Sequence, residues 1–171
     1  FTGRKFNASN VGGIIQGDGH IEVGHGTSHV FPPYVDVNNI TMEPGCEVEV
    51  SPLSTSVRTA HFIVQDGASL VVSEHRVADI RVHKNMIVFG ANFTGAGSLE
   101  LNRSCSTLFT GIGRHTAFTG KWDIVNNGSI VWDGGDLICE ATPLGSCVFH
   151  NNPFASFSVI GERVHFQGIT H

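Results

Sequence analysis

Residues 63–72 read IVQDGASLVV and residues 124–132 read IVNNGSIVW. Each phrase has an apolar pair, a polar turn containing glycine, and then apolar residues at alternate positions. IIQGDGHIEV (14–23) follows the same plan, and MEPGCEVEV (42–50), FTGAGSLEL (93–101) and PLGSCVFH (143–150) repeat its second half. Such self-similarity marks a repeat architecture. The first core position after each glycine gives Ile21, Val48, Leu70, Leu99, Ile130 and Val148, spaced by 27, 22, 29, 31 and 18 residues. These spacings centre on about 25 residues, the size of one solenoid coil.

Alternation with period two means strands with one buried face. The expected inward pairs are Ile21/Val23, Val48/Val50, Leu70/Val72, Leu99/Leu101 and Ile130/Trp132. No segment of a dozen residues carries a sustained helical stripe, and glycine interrupts almost every window. The chain therefore reads as all-β. A β-sandwich or jelly roll is the alternative architecture, with hairpins every 8–12 residues. Successive sandwich strands have no reason to resemble one another, whereas strands in one wall of a solenoid do. The expectation is a right-handed parallel β-helix with irregular coils of about 18–31 residues, forming one domain over 1–171.

The phrases DGASLVV, GAGSLEL and NNGSIVWDGGDL resemble coils of pectin-lyase-like proteins and of autotransporter-passenger adhesins. Phe-Thr-Gly, recurring at Phe1, Phe93, Phe109 and Phe118, adds to the second likeness. The resemblance implies a parallel β-helix, and either a carbohydrate-active enzyme or an adhesive module. Terminal coils of such a fold need caps, or they become strand-pairing edges. Neither FTGRKFNASN nor RVHFQGITH carries an amphipathic helix. Segments 1–12 and 161–171 are thus expected to contact neighbouring copies, which would stack head to tail.

Composition narrows the classes. Apolar residues are 40% and charged residues 15%, enough for a core and too few charges for a disordered chain. The net charge of −5 offers no basic stripe for nucleic acid. No apolar run reaches the ~20 residues of a membrane span. Five Asn-X-Ser/Thr sequons, at Asn7, Asn39, Asn92, Asn102 and Asn127, point to N-glycosylation and an extracellular location. Four cysteines suit that compartment. Cys139 and Cys147 are close enough to close a short loop, leaving Cys46 to pair with Cys105. Free buried thiols are the alternative.

Chemistry is sparsely signalled. Polygalacturonases use a Gly-His-Gly, an Asp pair, an Asn-Thr-Asp phrase and an Arg-x-Lys. Only Gly24-His25-Gly26 is present, and Arg81-Val82-His83-Lys84 is one residue too long. Hydrolysis with inversion needs two carboxylates about one bond. His25 and Asp18 are the weak catalytic candidates. Asp133 and Asp136 in WDGGD are weak metal candidates that read better as turn residues. His20, His25 and His29 read as imidazoles in turns and on the outer wall rather than converging ligands. Phe62, Phe89, Phe93, Phe109, Phe118, Phe149, Phe154, Phe157 and Phe166 are assigned to core stacking. No cofactor is implied. The expected partners are other copies of the chain, and glycans.

Overall fold

A computed structural model describes residues 13–50, 55–72, 77–111, 114–143, 145–161 and the backbone of 164–167. It is all-β, a parallel β-solenoid, with no helix among the described residues. Three walls each hold seven tiers. β1 (Ile14–Val23) and β2 (Ser28–Phe31) make the first tier, β3 (Tyr34–Met42) and β4 (Glu47–Val50) the second, β5 (Thr55–Val64) and β6 (Ser69–Val71) the third. β7 (Ala78–Phe89) and the start of β8 (Asn92–Leu101) complete the fourth. The rest of β8, β9 (Ser106–Thr110) and the start of β10 (His115–Asn126) form the fifth. The sixth is the rest of β10, β11 (Ser129–Asp133) and β12 (Gly135–Glu140). The last is β13 (Val148–Asn151), β14 (Ser156–Val159) and β15 (Val164–Gln167).

Each wall buries one face, so its inward residues stack in columns. The first wall stacks Ile15, Val35, Val57, Ile80, Leu99, Ile124 and Phe149. The second stacks Val23, Met42, Val64, Val88, Phe109, Trp132 and Val159. The third stacks His29, Val48, Leu70, Phe93, Phe118 and Cys139. Parallel pairing in register places like residue on like, and alternation is obligatory because a one-residue slip would expose a whole column.

The repeat was therefore real, but its equivalences were not. Ile21 and Ile130 lie in the second wall, Val48 and Leu70 in the third, and Leu99 in the first. All three walls alternate alike, so their phrases look interchangeable in the sequence. Val148 is out of phase: it stacks beside Asp123 on the outer face, and Phe149 turns inward. The ten residues of the five expected inward pairs are buried, Ile21 only partly.

Two kinds of corner are built from glycine. Between the second and third walls, Gly24–Thr27, Glu43–Cys46 and Gln65–Ala68 form stacked turns, closed by amide-to-carbonyl bonds of 3.2, 3.2 and 3.0 Å. Their third residues, Gly26, Gly45 and Gly67, share φ of +63°, +66° and +66°, where a side chain is unfavourable. Between the third and first walls, β8 and β10 turn through Gly95 and Gly120 without breaking. Here Phe93-Thr94-Gly95 lies in register with Phe118-Thr119-Gly120. A Cβ on Gly95 would collide with the Val72 carbonyl oxygen.

The aromatic phrases fill the lower core. Phe93 stacks on Phe118 at 4.7 Å between centroids, and Phe109 on Trp132 at 5.0 Å. Trp122 fits because Gly97 lies over it in the tier above: a Cβ there would come within 2.7 Å of the indole. Asn126 is buried and fully bonded. Its Nδ2 donates to Asn151 Oδ1 (2.7 Å) and the Ser156 carbonyl (2.9 Å), and its Oδ1 accepts from the Gly128 amide (3.0 Å).

Three side-chain expectations differ from the structure. Cys139 and Cys147 form a disulfide across the loop between the third and first walls, but Cys46 and Cys105 are free, buried thiols. They sit on different corners three tiers apart, so the Cys46–Cys105 bridge is not made. His29 lies in the inward column beside Val48, not on the outer wall. Of the nine phenylalanines assigned to the core, Phe89 and Phe157 are over a third exposed and Phe154 is fully exposed. Phe89 follows inward Val88 and so points out. Phe154 and Phe157 lie in the last tier, with no further tier over them among the described residues. The Phe166 side chain, and segment 1–12, lie outside the described residues.

Candidate functional site

The outer faces of the walls differ in chemistry. The first wall carries a charged column of Asp36, Arg58, Arg81 and Glu100. Arg81 reaches Asp79 at 3.0 Å and Glu100 at 3.5 Å. Such exposed pairs add little stability singly. The second wall carries an aliphatic column of Ile63, Ile87, Leu108 and Val131, each partly exposed. Beside it runs a polar column of His20, Asn39, His61, Asn85, Ser106, Ser129 and Ser156. Asn85 Nδ2 donates to His61 Nδ1 at 3.0 Å, one tier away.

At the far edge of the second wall the surface is notched. Two residues separate Phe89 from Asn92 at the fourth tier's corner. Three residues separate Gln65 from Ser69 above it, and six separate Thr110 from Ala117 below. The fourth tier's corner is thus the shortest, and it turns on buried Gly90, where a Cβ would come within 2.9 Å of Arg114 Cβ. The result is a recess of about 290 Å³ lined by Gln65, Asp66, Phe89, Gly111 and Arg114. Arg114 Nη1 bonds Asp66 Oδ2 across the recessed tier, joining the third tier to the fifth. Phe89 is 39% exposed. A hydrophobic ring and three planar polar groups therefore face one small volume. None of these residues was singled out as a site in the sequence. The available signal was parity, since inward Met86 and Val88 make Phe89 outward.

The residues that the sequence did single out are dispersed. Asp18 is exposed at the corner between the first and second walls of the top tier, and His25 in the Gly24–Thr27 turn at the next corner. About 20 Å of extended chain separates them. His20 lies 3.7 Å from Glu22, and His29 Nε2 lies 3.1 Å from Thr27 Oγ1. Asp133 and Asp136 are both exposed, on either side of Gly134-Gly135. Among the described residues, no three His, Cys, Asp or Glu side chains come together as a metal site.

Among the sequon asparagines, Asn39 faces out from the second wall and Asn92 from the third, both partly exposed. Asn102 is exposed, and it shares a corner with Asn127. There the Asn102 amide donates to the Val82 carbonyl (3.0 Å), Asn127 to Leu101 (2.9 Å) and Asn152 to Asn126 (3.0 Å). This is a ladder of successive tiers. Asn152 Nδ2 donates to Asn127 Oδ1 at 2.6 Å, and Asn102 Nδ2 to His83 Nδ1 at 3.1 Å. Asn7 lies outside the described residues. Comparison of the chain with protein families, curated proteins and solved structures gave no match.

Proposed function

We propose that this chain is a secreted, glycosylated structural β-solenoid that assembles head to tail into an extracellular fibre or coat. One observation carries the reading. Both described end tiers are paired on one side only and expose apolar side chains. At the top, β1 pairs only with β3 among the described residues, and Ile14 is 67% exposed. At the bottom, among the described residues, β13 pairs only with β10 and β14 only with β11, while Phe154, Phe157, Val159 and Ile160 are exposed. In a parallel stack the top edge of one copy complements the bottom edge of another. Joining them extends every ladder and repeats without closing, which generates a filament. The sequons support secretion, and the Phe-Thr-Gly phrases resemble adhesin coils.

Negative-stain electron microscopy and light scattering over a concentration series test this reading. Filaments, and scattering that rises with concentration, are expected. Replacing Phe157 with Lys, which charges the bottom edge, is expected to suppress both. A wild-type chain that stays monomeric and unbranched by concentration contradicts the reading. A second reading, an attachment module that binds glycans, is favoured by one observation: the recess that sets Phe89 beside Gln65, Asp66 and Arg114.

A further inference from the structure

We infer that the recess at the fourth tier binds one uncharged pyranose ring of a glycan, an inference that rests on the attachment reading. Size comes first. The recess is an open step outside the short Gly90 corner, which still pairs with the turn above through the Gly67 amide and the Gly90 carbonyl at 2.9 Å. The volume of about 290 Å³ suits a single ring rather than a chain of them.

Chemistry comes second. A pyranose has an apolar C–H face and a rim of hydroxyls. Phe89 supplies an exposed aromatic ring for the face. Gln65 supplies an amide that both donates and accepts, Asp66 an acceptor and Arg114 donors. Planar amide, carboxylate and guanidinium groups match adjacent hydroxyls, and a few convergent polar groups around an apolar surface are the usual makeup of a small-ligand site.

Charge comes third. Arg114 is already paired with Asp66, so the rim is electrically neutral. The chain as a whole carries −5. An anionic sugar would meet no free cation here and a net repulsion from the protein. An uncharged ring meets neither difficulty.

The test uses the full chain and five probes: the methyl glycosides of glucose, galactose and mannose, N-acetylglucosamine, and glucuronate. Binding is read by saturation-transfer NMR and by titration. At least one neutral sugar is expected to bind, and glucuronate to bind worse. Phe89→Ala removes an exposed ring and is expected to weaken that binding at least tenfold, with the circular dichroism spectrum unchanged. Asp66→Asn leaves Arg114 uncompensated and is expected to reverse the preference toward glucuronate. If sugars bind but Phe89→Ala and Asp66→Asn change nothing, the attachment reading survives and this site is overturned. If none of the five probes binds, the site is overturned, and larger glycans then test the attachment reading on its own.

Discussion

The upper and lower halves of the solenoid reach one architecture by different means. In the first four tiers, each long strand (β1, β3, β5 and β7) runs unbroken around the corner from the first wall to the second. The sharp turn falls between the second and third walls, on the stacked glycines Gly26, Gly45 and Gly67. After the fourth tier, the chain also runs unbroken from the third wall to the first, through Gly95 and Gly120, and from the fifth tier the first-to-second corner becomes a short turn at Asn102, Asn127 and Asn152. The cores change with the corners. Upper columns are mostly aliphatic, with Val35, Ile40, Met42, Val57 and Val64 buried beside two rings, Phe31 and Phe62. Lower columns hold more rings, with Phe93, Phe109, Phe118, Trp122 and Trp132 buried among aliphatic residues such as Leu99 and Ile124. The difference shows that one solenoid architecture accepts different core residues from tier to tier. Large rings are admitted where a neighbouring position shrinks to glycine, as Gly97 does above Trp122.

The largest expected break in that comparison is at the corners. Gly95→Ala and Gly120→Ala put a Cβ against the carbonyl oxygen of the tier above. Each is expected to cost at least ~4 kcal/mol or to prevent folding. Gly26→Ala in the upper half has a positive φ but nothing within 4 Å of the new Cβ. Its cost should be about 1–2 kcal/mol. Urea denaturation of the three variants measures both values. Equal costs would mean that the two halves turn their corners alike.

The next effect separates the two kinds of cysteine. Reducing the Cys139–Cys147 disulfide, or replacing both residues with Ser, is expected to lower stability by about 2–3 kcal/mol. Among the free thiols, burial pushes Cys46 in the upper half up to about 11. An acid whose pKa is raised on folding contributes stability below its unfolded pKa of about 9 and loses it as pH climbs toward 11, because only the unfolded chain ionises there. Stability should therefore fall by on the order of 2 kcal/mol across that window. The Cys46→Ala variant should lack this component of the fall, measured by the urea midpoint at pH 8 and pH 11. Burial also raises Cys105, which adds to the fall in both proteins and cancels in the comparison.

The finest distinction lies between the two tryptophans. Trp132 Nε1 donates to the Gly135 carbonyl at 3.2 Å, whereas Trp122 Nε1 is buried with no partner among the described residues. Trp132→Phe loses a hydrogen bond that Trp122→Phe does not. The first change should be the costlier by about 1 kcal/mol. Thermal unfolding of the two variants side by side checks the order.

How much of this was legible follows from what repeats. Strand parity was readable at Val48/Val50, Leu70/Val72 and Leu99/Leu101, because alternation is local. Wall assignment was not, because Ile21, Leu70 and Leu99 sit in indistinguishable phrases on three different walls. The parity slip at Val148 comes after the disulfide loop, which no local pattern encodes. The recess was illegible for another reason. Gln65, Asp66, Phe89 and Arg114 converge only because one tier's corner is shorter than its neighbours, a comparison that needs the register first.

The head-to-tail reading can be tested by one crosslink. Gln16 in the first tier and His150 in the last occupy the same outward column of the first wall, and both are exposed. If the bottom edge of one copy continues onto the top edge of the next in register, the two positions become neighbours at about 5 Å, within disulfide reach. The double variant Gln16→Cys, His150→Cys is oxidised and run on a non-reducing gel. The expected result is a ladder of covalent oligomers from the double variant and nothing larger than a dimer from either single variant. A folded double variant that stays a monomer under oxidation contradicts head-to-tail assembly.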